Sequence, residues 1–193
     1  YVDTVLQDCH VRLNDGSVEY DNVQAAVEAS THPTDVIRIA GGCAGVNDRC
    51  GLRQQVYLSR TLTLQGGWDT SFTKRDVRRY PTTLDAVGYG RVLYIIGDIS
   101  PTIEGLRITG GSAEGLGGVW SGGDGGGIYV FSATAVISGN EIFSNTADSG
   151  GGVFITRGSA TVLNNNAIYS NTVSLWGGGV QVIGESPAML INN

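Results

Sequence analysis

The amino-acid sequence predicts an all-β fold: a stack of parallel β-coils, a solenoid, closed at its N-terminal end by one short helix. Three observations predict it. The second half matches itself at a period of 25–27 residues. Short alternating apolar runs, punctuated by Gly, Asn or Ser, fill each period. No 3.6-residue apolar stripe occurs within these units, which removes an α-helical repeat. A strand of four or five residues cannot bury its face alone, so successive units have to stack.

The repeat is read from its glycine triplets. Gly125-Gly126-Gly127-Ile128, Gly150-Gly151-Gly152-Val153 and Gly177-Gly178-Gly179-Val180 open three units, the last unfinished. Asn140 and Asn166 recur at one position of the unit, and Asn145 and Asn171 at another. In a stack with strands about 4.8 Å apart, each pair is placed to form a side-chain amide ladder. A degenerate unit precedes them: 102–108 matches 136–142 in apolar placement, at a step of 34. The surplus is the Gly-rich segment 110–126, an excursion carrying Trp120 and Asp124.

An open solenoid end exposes strand edges, so a cap is expected. The run 21–30 supplies a helix, with Asp21 at the N-cap, Gln24 three residues on as a capping box, and Val23, Ala26 and Val27 on one face. Strands are predicted at 35–40, 55–57, 61–65 and 91–96. The chain thus divides into a cap with first strands over 1–50 and coils over 51–193, regular from 125 with an incomplete last coil. Aligning Ala188 with Ala160 ends the chain one residue before the equivalent of Asn166. That open end predicts either a piece of a longer protein or end-to-end self-association.

Composition excludes several classes. There are 30 glycines in 193 residues, about twice the usual share, but 41% hydrophobic content supports a real core. A net charge of −6 argues against nucleic acid, which needs a basic face. The longest apolar run, 92–96, is far short of the roughly 18 residues of a membrane helix, so no membrane insertion is expected. Residues 1–99 hold 22 of the 30 charged side chains. Among them Lys74, Arg75, Arg78 and Arg79 form a basic loop over 68–81, read as a solvated loop or, alternatively, as an anion- or glycan-binding element. Cys43 and Cys50 sit in a Gly/Asn/Asp-rich stretch and are expected to pair, implying an oxidising compartment; Cys9 is left over.

The helix before the first coil and the Gly-Gly-Gly-Ile/Val and Ile-x-x-Asn repeats resemble the right-handed parallel β-helix of the pectin-lyase-like superfamily. The repeats are similar to those of bacterial surface proteins related to polymorphic outer membrane proteins. In that pattern Ile142 and Ile168 hold the Phe position ahead of Asn145 and Asn171, with Gly in place of Ala. Gly66-Gly67-Trp68-Asp69 and Tyr80-Pro81-Thr82 also resemble first coils of secreted bacterial β-helix proteins. The resemblance implies an extracellular or cell-surface protein of structural or adhesive role, with cell-surface polysaccharide or a second copy as partner.

The superfamily also holds lyases and hydrolases, whose carboxylates cluster on adjacent coils within about 5–10 Å for hydrolysis. Here the full coils offer Glu104, Arg107, Glu141, Asp148, Arg157 and Glu185, and only Arg107 and Glu141 align, as a cross-strand ion pair. His10 and His32 have no metal-ligand spacing. Catalytic residues are therefore not expected. Asp124 and Asp148 precede glycine triplets and are candidate Ca²⁺ ligands or, alternatively, corner caps; their spacing lacks the calcium β-roll repeat, so no cofactor is expected. Trp120 and Trp176 join Arg75, Arg78 and Arg79 as candidate glycan contacts.

Overall fold

The computed structural model describes residues 8–49, 51–119 and 122–193. The chain is a right-handed parallel β-helix whose regular structure is nearly all strand, with one short helix among the described residues. The N-terminal elements are β1 (His10–Leu13), α1 (Val23–Ala29), β2 (Val36–Ala40), β3 (Gly42–Ala44), β4 (Asn47–Arg49) and β5 (Leu52–Leu58). A second coil comprises β6 (Thr63–Trp68), β7 (Thr82–Asp85) and β8 (Arg91–Ile96). A third comprises β9 (Thr102–Glu104), β10 (Leu106–Thr109) and β11 (Ile128–Phe131). The fourth runs β12 (Val136–Ser138), β13 (Glu141–Phe143), β14 (Thr146–Ser149) and β15 (Val153–Thr156). The fifth runs β16 (Val162–Asn164), β17 (Ala167–Tyr169), β18 (Thr172–Trp176) and β19 (Val180–Val182), and β20 (Met189–Ile191) opens another.

Three main sheets wrap the core, in the orders β1-β2-β6-β9-β12-β16-β20, β3-β7-β10-β13-β17 and β4-β5-β8-β11-β15-β19. A fourth, β14-β18, forms a corner. Register places like on like. Ile37, Leu64, Ile103, Ile137 and Leu163 stack in the first sheet, and Leu84, Ile108 and Ile142 in the second. The third contributes Leu93, Ile128 and Val153 beside Ile95, Val130 and Ile155. All of these are fully buried. Each is worth roughly 1.5–3 kcal/mol of burial, and alternation along each strand aims it inward. The core is an apolar column, so the outer rows and the excursions are left for function.

The cap departs from the sequence reading in its details. The N-cap is Asn22, whose Oδ1 accepts the Ala25 N–H at 2.9 Å, and not Asp21. Gln24 forms no capping box. Its Oε1 accepts the Tyr57 N–H at 2.7 Å, an amide on the free edge of β5, and this need outweighs closing the helix end. Val23, Ala26 and Val27 seal the apolar column. β1 pairs antiparallel with β2, and β4 with β5, covering two sheet edges without extending the parallel stack.

The cysteine expectation is overturned. Cys43 is joined to Cys9, not to Cys50. Cys43 occupies an inward position of β3, in register with Leu84, and is buried. The chain entering β1 brings Cys9 to that same end of the core. Cys50 lies outside the described residues.

The register of the last coil is also corrected. Met189 pairs with Val162, so Asn193 stands at the Asn166 position. The alanine alignment over-counted by one: a β-bulge in β18, where Ala147 faces Val173 but Ser149 faces Trp176, inserts a single residue.

Candidate functional site

Outside the column, the asparagines form two hydrogen-bonded ladders. Asn140 Nδ2 donates to Asn166 Oδ1 at 3.0 Å, and Asn166 Nδ2 donates to Asn193 Oδ1 at 2.8 Å. Asn145 Nδ2 donates to Asn171 Oδ1 at 3.0 Å. Each amide also serves backbone: Asn140 Nδ2 donates to the Ile103 carbonyl and Asn166 Nδ2 to that of Ile137. Corner carbonyls and amides that turn out of the ladders are thereby satisfied.

The outer row of the third sheet carries an aromatic stack. Tyr57, Tyr94, Tyr129 and Phe154 are consecutive register partners. Their ring centroids are 5.5, 5.1 and 5.4 Å apart. Such contacts add about 0.5–1.5 kcal/mol each beyond area burial. The excursion over 110–126 is fastened beside them by Arg91, which is only 2% exposed. Arg91 Nε donates to the Asp124 carbonyl at 2.8 Å and its terminal nitrogens to the carbonyls of Gly117 and Leu116. Its guanidinium lies 5.0 Å from the Tyr129 ring centroid and 5.6 Å from that of Tyr94. Burial pushes its pKa below the usual arginine value and pushes that of Tyr129 up to about 12.

The two candidate calcium carboxylates fasten the same excursion. Asp124 Oδ2 accepts the Val119 N–H at 2.8 Å; burial raises its pKa. Asp148 Oδ2 accepts the Gly123 N–H at 2.7 Å and its Oδ1 the Ser174 hydroxyl. The Ser174 hydroxyl and the Gly123 amide lower its pKa. Among the described residues no three His, Cys, Asp or Glu side chains gather as a metal-ligand group. We expect Arg91→Met to strand at least two buried carbonyls and cost about 2–4 kcal/mol. Denaturant titration reads the loss, and limited proteolysis should cut within 110–126. A midpoint and cleavage pattern like the parent's would show that the carboxylates alone hold the segment.

The basic loop is split. Arg75 is tied down along the surface: its Nε donates to the Gly66 carbonyl at 3.0 Å and its Nη2 lies 3.1 Å from Glu104. Arg78 and Arg79 are exposed, and Arg79 lies over the Tyr80 ring at 5.6 Å. Trp176 is 56% exposed at the end of β18, far along the stack from this loop. Trp120 lies outside the described residues. Glu104 accepts Gln65 as well as Arg75, and Glu141 faces Arg107 at 3.3 Å. Among the described residues, Trp176 and the loop arginines therefore do not form one site.

Sequence reasoning missed Arg91, the aromatic stack and a cleft between Trp68 and Tyr80. The signal for the stack was available: Tyr94, Tyr129 and Phe154 are each the central aromatic of an apolar strand run. The family described as "Right handed beta helix region" matches residues 91–193. No curated protein and no solved structure matches the chain.

Proposed function

The chain belongs to the right-handed β-helix family, and on that basis we propose that it is a non-catalytic structural or adhesive module of a bacterial cell exterior. One observation carries the reading: four carboxylates of the coils are engaged in holding the fold. Asp124 and Asp148 accept loop amides, while Glu104 and Glu141 face arginines. A carboxylate fixed in this way is poorly placed to act as acid, base or nucleophile. The Cys9–Cys43 disulfide supports an oxidising compartment. The likeness of the repeats to polymorphic outer membrane proteins supports a surface location.

Two partners fit this role. Polysaccharide is favoured by the cleft at Trp68. Self-association through a coil end is the second. Incubation of the full chain with a polysaccharide panel tests the reading. We expect no new reducing or unsaturated ends, and retention on at least one polymer or concentration-dependent assembly. Sustained turnover abolished by a single carboxylate substitution would overturn it.

A further inference from the structure

We propose that the cleft between Trp68 and Tyr80 is a saccharide site for a six-membered sugar ring that carries an anionic group, a carboxylate or a sulfate ester. This deepens the adhesive reading and rests on it for the polymeric nature of the ligand. The cleft is lined by Gly41, Trp68, Asp69, Thr70, Tyr80 and Pro81 and encloses about 230 Å³. Sites for drug-sized ligands run to about 300–1,000 Å³, so this one has room for a single ring. The Arg38 guanidinium covers one face of the Trp68 ring, 4.4 Å from its centroid, and Arg79 lies over Tyr80 at 5.6 Å, so it is the remaining surface of the two rings that lines the cleft for the apolar C–H side of a sugar. Thr70 is exposed and Tyr80 partly so, and each brings a hydroxyl-bearing side chain to the lining.

The walls are pre-shaped. Asp69 receives the Thr73 and Lys74 amides and the Ser71 and Thr73 hydroxyls, which fixes the loop's first turn. Asp76 receives the Arg78 and Arg79 amides, which fixes its last. Phe72 is buried under the Arg12 guanidinium, 4.7 Å from it, and the Trp68 indole Nε1 donates to Gln65 at 3.0 Å. Glycine is required beneath: a side chain on Gly67, whose φ is +87°, would meet Val77 at 2.7 Å. A loop fixed before binding loses little freedom when a ligand arrives.

Charge selects the ligand. Arg12, Arg38 and Arg75 are paired with Glu19, Asp15 and Glu104. Lys74, Arg78 and Arg79 have no carboxylate within salt-bridge distance among the described residues, and all three are exposed on the cleft's own loop. On a chain of net charge −6 they are a local exception, so attraction of an anion comes from this loop and not from the whole protein. A peptide fits less well. The wall strands β6 and β7 each have a strand neighbour on both sides, so no edge is open for β-addition.

Calorimetric titration of the full chain with a neutral cello-oligosaccharide, an oligogalacturonate and a heparin-derived tetrasaccharide tests the site. Binding of either anionic probe, at least tenfold tighter than the neutral one, is expected. Preference between the two assigns the anionic group. The double variant Arg78→Gln/Arg79→Gln should weaken binding at least tenfold, and Tyr80→Ala similarly. Where Tyr80→Ala lowers the melting temperature, the exposed Thr70→Ala replaces it, with at least a threefold loss. Failure of both anionic probes to bind, equal binding of polyglutamate, or indifference to the cleft variants would overturn the site while leaving the structural role intact. Binding followed by turnover would instead overturn the non-catalytic reading and keep the site.

Discussion

Asn145→Asp is expected to destabilise the protein by about 3–5 kcal/mol, the largest effect of any isosteric change in the ladders. Asn145 is 0% exposed. Its Nδ2 faces three acceptors: the carbonyls of Ile108 and Phe143, at 3.1 and 3.0 Å, and Asn171 Oδ1. Its Oδ1 accepts the Gly111 N–H at 2.8 Å, at the root of the 110–126 excursion. An aspartate keeps that acceptor but turns a second oxygen on three others, in a place with no water. Each stranded buried group costs roughly 1–3 kcal/mol, and an unpaired buried charge costs more. At roughly 2–4 °C per kcal/mol for a chain of this size, the melting temperature should fall by about 10 °C.

The pH dependence of that variant has a definite sign. Burial without a cation raises the new carboxyl's native-state pKa above its unfolded value of about 3.9. The protonated acid can donate one hydrogen bond to a carbonyl, so the variant is least penalised below that value. It loses stability as pH rises through the native-state pKa. Melting curves of parent and variant should therefore converge toward pH 4 and diverge toward pH 7. A constant gap across that range would show that the carboxylate reaches solvent and that the ladder is open at Asn145.

The parts of the fold legible in the sequence are those with a period. Gly-Gly-Gly-Ile, Ile-x-x-Asn and the apolar alternation each report a local requirement repeated every coil: a tight corner, an amide ladder, an inward row. What repeats is read by comparing the chain with itself. The cap was legible only in outline, because Gln24 and Asn22 compete for adjacent tasks. The free amide of Tyr57 that decides between them lies 33 residues away. The bulge in β18 shows in the sequence only as a spacing: Asn145 to Gly150 is five residues and Asn171 to Gly177 six, so one residue is inserted between those two landmarks.

The site is less legible than the fold. Arg75, Arg78 and Arg79 are neighbours in sequence and all exposed, yet the first is tied to Glu104 while the other two have no carboxylate within salt-bridge distance among the described residues. Alternation along an extended loop does not predict that split. Arg91 looked like an ordinary strand opening; its burial depends on carbonyls 25–33 residues downstream, in a segment without a period of its own. Excursions are set by contacts that no repeat encodes, and binding residues collect there.

Removing the disulfide by Cys9→Ser is expected to destabilise the protein by about 2–5 kcal/mol, with loss concentrated at the N-terminal end. Cys9 and Cys43 are separated by 34 residues, and that span contains β1, α1 and β2. Opening a loop of this length restores chain entropy worth about 3.8 kcal/mol in the loop-closure treatment, a figure that depends on the model used. The released segment includes the helix that covers the core end, so the first coil should lose protection before the later ones. Hydrogen exchange would then show faster exchange in residues 10–40, with 128–156 much less affected. Cys50→Ser should leave the Cys9–Cys43 link intact. Peptide mapping without reductant distinguishes the pairings: a linked fragment holding Cys9 and Cys43 is expected. A fragment linking Cys43 to Cys50 would restore the sequence-based pairing and leave β1 without a covalent tie to β3.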